Sequence, residues 1–235
     1  MLVEYYWIYF AAFFISALIF ASPAEKKEGF YRKAAIFTGV CFGLGAVMLR
    51  LPIEHVILVE AIFMAFGCML ISIMLHTCFD MSWTVAVYNM IWGVSIWEVV
   101  VEGTSMLIML RRMAPSDAMG EVLIILGVYV IAFTACYFTI ARWMPEGRKR
   151  RLGPRQMCLT ILLFAMINIL SFHEVIGGMT SMPHQWGYFY LTQMICIVVL
   201  YLESELFKKS QLKQEKEMLD FLYKTQQEQY KISKE

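Results

Sequence analysis

Charge is scarce in this sequence. Of 235 residues only 17% are Asp, Glu, Lys or Arg, against about 25% in soluble domains, while 60% are hydrophobic. That scarcity excludes an ordinary water-soluble globule. A mean hydropathy of +0.61 excludes a disordered chain, which needs low hydrophobicity and high net charge. Neither sign is in excess, with 20 Lys+Arg against 19 Asp+Glu, so the balance gives no argument for nucleic acid. Proline is rare: Pro23, Pro52, Pro115, Pro145, Pro154 and Pro183 all fall between long apolar stretches, where a residue without an N–H punctuates loops and interrupts no helix. Cys41, Cys68, Cys78, Cys136, Cys158 and Cys196 lie within or at the edges of those stretches and form no C-x-x-C pair. They read as small apolar side chains in reduced form. H-E-x-x-H, G-x-S-x-G, a Walker loop and a glycine-rich nucleotide lid are all missing, so no catalytic constellation and no cofactor is expected.

What the chain does have is long uncharged runs. A hydrocarbon layer about 30 Å thick needs about 20 apolar residues of helix, and seven stretches qualify: 5–21, 34–50, 56–76, 83–109, 121–142, 156–173 and 186–205. The first is expected to be a retained helix, not a secretory leader, because Glu4 is its only preceding charge while Lys26, Lys27, Arg32 and Lys33 follow it. The expected fold is therefore an all-α membrane protein, a bundle of about seven transmembrane helices. With the N-terminus outside, 17 of the Lys and Arg residues fall on the inner side and three, Arg50, Arg111 and Arg112, on the outer side. Cytoplasmic loops carry the basic excess, so the expected location is a cell membrane with the C-terminus in the cytoplasm. The fourth stretch exceeds one bilayer thickness and could include an interfacial segment over residues 80–84. Trp7, Trp83, Trp143 and Trp186 stand near the expected membrane faces as belt residues. Gly39 and Gly43 make a G-x-x-x-G step beside Gly45, expected to pack helices within the bundle.

Composition changes after Leu206, dividing a membrane domain, 1–205, from a tail, 206–235, rich in Lys, Glu and Gln. Leu212, Leu219 and Leu222 hold heptad-compatible spacing and Met218 lies on a neighbouring strip. A cytoplasmic signalling helix of coiled-coil character is expected, with a homodimer through it, although Gln226 and Gln229 interrupt the seam.

Carboxylates in lipid are costly, which singles out Glu60, Glu98 and Glu102. Glu98 and Glu102 are four residues apart, one turn along one helix face. In the orientation above, all three acids converge towards the outer leaflet as a polar pocket for an external ligand or cation. The last outer connection adds His173, Glu174 and His184 as candidate ligand contacts; their spacing fits no zinc enzyme, and no metal site is expected.

The tail ends in E-Q-Y-x-x-S-K-E at residues 228–235. Following a polytopic domain, it resembles the linker of bacterial GHKL-type sensor histidine kinases, in particular the peptide-pheromone receptors of accessory-gene-regulator quorum-sensing systems. The resemblance implies six or seven helices that detect an external signal molecule, such as a peptide, and a helix that dimerises and relays it to a phospho-accepting histidine. None of His55, His76, His173 and His184 is in the tail. The chain then corresponds to the sensor half of a two-component kinase, truncated before its kinase core and without catalysis of its own. The rival class is a small transporter or channel subunit, for which internal repeats and Gly- or Pro-broken helices would speak; the sequence has neither.

Overall fold

The computed structural model describes residues 6–48, 56–111, 118–143, 152–176 and 183–232. Among the described residues the protein is all helical: α1 (Tyr6–Ala21), α2 (Phe30–Met48), α3 (Val56–Cys78), α4 (Trp83–Arg111), α5 (Ala118–Thr139), a 3-10 turn at Ala141–Trp143, α6 (Pro154–Ile176) and α7 (Pro183–Ile232). Three described helical stretches are long and apolar enough to cross a membrane, Trp83–Ser105, Gly120–Thr139 and Tyr190–Tyr230. The chain divides into two compact units, Met1–Ile197 and Val198–Glu235, taken separately below.

In the first unit α4 is the centre. It packs against α1, α3, α5 and α6, and the most apolar part of Trp83–Ser105 is 78% buried, against 17% for Gly120–Thr139. A helix apolar on every side belongs in such a position. Tyr88, Ile91, Trp92 and Val94 are almost wholly enclosed. The core cluster is built from residues between Phe13 and Val94, with Phe13 at its middle. The Phe13 ring meets Trp97 edge-on with centroids 4.9 Å apart. A Cβ on Gly67 would lie 3.1 Å from the same ring, so the α3 glycine leaves the space that Phe13 fills.

Three hydroxyls within these apolar helices are satisfied by their own backbone. Ser72 donates to the Cys68 carbonyl at 2.8 Å, Thr104 to Val100 at 2.6 Å and Thr160 to Gln156 at 2.8 Å. Each bonds one turn back, which lets a polar residue sit in an apolar helix without a distant partner.

Residues 24–29 and 76–81 are fastened together. The Lys27 amide donates to the Cys78 carbonyl at 2.9 Å and the Asp80 amide to the Glu25 carbonyl at 2.8 Å. Lys27 Nζ donates to the His76 carbonyl at 2.6 Å. His76 stacks on Trp83, with centroids 4.2 Å apart, and its Nδ1–H donates to the Met81 carbonyl at 2.9 Å. Gly29, at φ +73°, makes the turn that starts α2, a conformation L side chains rarely adopt.

Three sequence expectations change. Residues 80–84 are not one segment apart from α4, because the helix starts at Trp83, after Ser82, whose Oγ accepts from the Val85 amide at 3.4 Å as an N-cap. Pro154 and Pro183 are the first residues of α6 and α7, not loop residues, because the fixed φ of proline suits a first helical turn whose N–H has no partner. The Gly39 and Gly43 step packs no described helix, since nothing among the described residues lies within 4 Å of a Cβ at either position. Gly93, in α4, does lie at a close approach, to the α1 backbone. The stretch expected at 186–205 and the tail after it form one helix, α7, of 50 residues.

Candidate functional site: a carboxylate helix against the start of α7

Glu98 and Glu102 lie on α4, the helix most completely surrounded by protein. Glu98 is 7% exposed and is within electrostatic reach of Cys68 on α3. Glu102 is partly buried and turns to α7. Its Oε1 accepts a hydrogen bond from Gln193 Nε2 at 2.7 Å, and Gln193 is fully buried. One residue on, a Cβ at Gly103 would stand 2.9 Å from the Tyr190 hydroxyl. Glycine therefore lets the phenol of α7 lie against α4, and Tyr190 in turn is within electrostatic reach of Glu102.

Glu98 is thus buried in the protein, and Glu102 is bonded across to α7. An ionised carboxylate is acceptor-only. Bonded to an amide donor, the Glu102 carboxylate is a group suited to receive a hydrogen-bond donor or a cation. Among the described residues no three His, Cys, Asp or Glu side chains gather as a metal would require.

Of the other residues singled out by sequence, Glu60 lies in α3, four residues before the buried Met64; its side chain lies outside the described residues. His173 and Glu174 stand in the last turn of α6 and His184 in the first turn of α7, with side chains that also lie outside them. Leu212, Met218, Leu219 and Leu222 are all on α7, in the second unit, and all are exposed.

Sequence reading missed Gln193 and Tyr190. Gln193 carried a signal, an amide within the apolar run 188–200; such side chains in apolar helices commonly bond across to another helix. It also passed over Glu121, in the first turn of α5 and 4% exposed, where the positive end of the helix dipole favours an acid. Compared with known proteins, the chain matches no family model, no curated protein and no solved structure.

Proposed function

We propose that this chain is the membrane-embedded sensor part of a two-component sensor histidine kinase of the GHKL type, a quorum-sensing receptor whose kinase core lies outside these 235 residues. In this reading α1 to α6 and the first part of α7 are seven transmembrane spans. The N-terminus is outside and the remainder of α7 is a cytoplasmic signalling helix. Helices of 16, 19, 23, 29, 22 and 23 residues extend about 24 to 44 Å, around the roughly 30 Å of a hydrocarbon core, and the basic excess supports the orientation. An external signal molecule, such as a peptide, is read at Glu98 and Glu102, with Glu60, His173, Glu174 and His184 towards the outer side. Homodimerisation runs through Leu212, Met218, Leu219 and Leu222.

One observation carries the reading: the residue that grips Glu102, Gln193, belongs to the same unbroken helix as the tail. A change of hydrogen bonding at the carboxylate acts directly on the helix that leaves the membrane. Signalling by a two-state shift needs differential contacts at the sensing end, and the Glu102–Gln193 bond is one that a competing donor can replace.

The test grafts this chain onto an intact kinase core and finds a conditioned medium that switches it. Glu98→Gln and Glu102→Gln should each shift the dose response while inserting normally. Normal insertion with unchanged dose dependence in both would overturn the assignment and leave the acids structural.

A further inference from the structure

Away from the α4–α7 contact, the first unit carries a large apolar groove of about 680 Å3 between α1 and α5. It extends from Ile8 to Ile19 on α1 and from Leu126 to Phe138 on α5. Eleven residues of helix rise about 16 Å, close to half of the roughly 30 Å hydrocarbon core, so the slot has the length of one leaflet's acyl chains. Its rims are exposed, Val130 at 65% and Phe138 at 55%. One end is closed. The 3-10 turn after α5 packs against both α1 and α5, burying Ala141 and leaving Arg142 exposed, four residues beyond Phe138.

That end is the one the basic excess places in the cytoplasm. An apolar slot about one leaflet long, with an exposed arginine in the turn beyond that end, suits one class of molecule in shape and charge. We propose that the α1–α5 groove holds an acyl chain of an anionic glycerophospholipid of the cytoplasmic leaflet, with its phosphate at Arg142. The guanidinium suits the task because its planar donors match phosphate oxygens bidentately, and basic residues on the cytoplasmic side attract anionic lipid. The proposal rests on the membrane reading and its orientation.

The full chain is first tested for extraction from membranes by alkaline carbonate. It is then purified in detergent and titrated with phosphatidylglycerol and with phosphatidylcholine of the same chains, with retained lipid counted by native mass spectrometry. Phosphatidylglycerol should be retained about fivefold better. Arg142→Gln should level that preference. Val130→Trp, which fills the groove from an exposed rim, should lower retention of both lipids without lowering the melting temperature. Equal retention of the two lipids by the unaltered chain overturns the proposal, as does a preference that survives both substitutions. A chain released by carbonate sinks the membrane reading together with the proposal, whereas one that stays in the membrane and shows no preference sinks the proposal alone.

Discussion

The Cα of Ala17 stands 2.7 Å from the point at which Gly93 would carry a Cβ. Only the small Ala17 side chain is beside it there, and the nearest atoms are backbone, which cannot swing aside. Gly93→Ala should therefore force the two helices apart and lower stability by about 1–3 kcal/mol, read as a fall in melting temperature of the detergent-solubilised protein. Gly39→Ala, with open space among the described residues, should leave it unchanged or slightly raised through better helix propensity. Equal effects of the two would show that α1 and α4 do not meet there.

The Glu102–Gln193 pair predicts non-additivity. Gln193→Leu alone leaves a carboxylate oxygen without its donor and should cost about 1–3 kcal/mol. Adding Glu102→Leu should restore part of that loss, because replacing both partners removes the unmet demand. A double-mutant cycle from thermal melts gives the coupling, expected at about 0.6–2 kcal/mol for a bond between helices in an apolar surround. Strict additivity would mean that the bond contributes nothing.

The fastening of residues 24–29 to 76–81 should be visible as slow hydrogen exchange at the Lys27 and Asp80 amides, which donate to Cys78 and Glu25. Lys27→Met deletes the donation to the His76 carbonyl and should speed exchange at both positions by about tenfold or more, since a charged donor contributes about 1.5–3 kcal/mol. Exchange at the rate of an open loop in the unaltered protein would remove the fastening.

Topology is open to a direct measurement. In a background lacking the native cysteines, Ser181→Cys should react with an impermeant maleimide in intact cells, and Arg32→Cys should react only after permeabilisation. The reverse pattern inverts the orientation, and with it the side from which Glu98 and Glu102 are reached.

The second unit makes its own prediction. A peptide of residues 204–235 should be partly helical and gain helicity with concentration, as Leu212, Leu219 and Leu222 find partners. The exposed Tyr223 and Tyr230 are also seven residues apart, on a different strip from Leu212 and Leu219. Helicity independent of concentration would remove the coiled-coil assignment.

The positions of the helices were legible because apolar length and proline placement are local properties: 83–109 and 56–76 fall within two residues of α4 and α3. Local properties do not say which helix is surrounded. The sequence shows a G-x-x-x-G step at Gly39 and Gly43 and a solitary glycine at Gly93, and it is the solitary one that lies at a helix crossing, because α4 holds the centre. The same limit applies to the candidate site. Two acids one turn apart could be read on α4, but the partner of Glu102 stands 91 residues later in the chain, and only tertiary packing brings it there. Gln193 was visible as an odd residue in an apolar run; its role was not.

The fastened segments and the central helix have a bearing on how the protein is made. The buried members of this core cluster lie between Phe13 and Val94, with the partly buried Leu152 and Phe164 packed against it, and both halves of the fastening lie before Ser82. Most of the cluster is therefore synthesised before α5 begins, since a chain is made from its N-terminus. Glu102 is made 91 residues before its partner, so the bond from Gln193 closes only after α7 has been made.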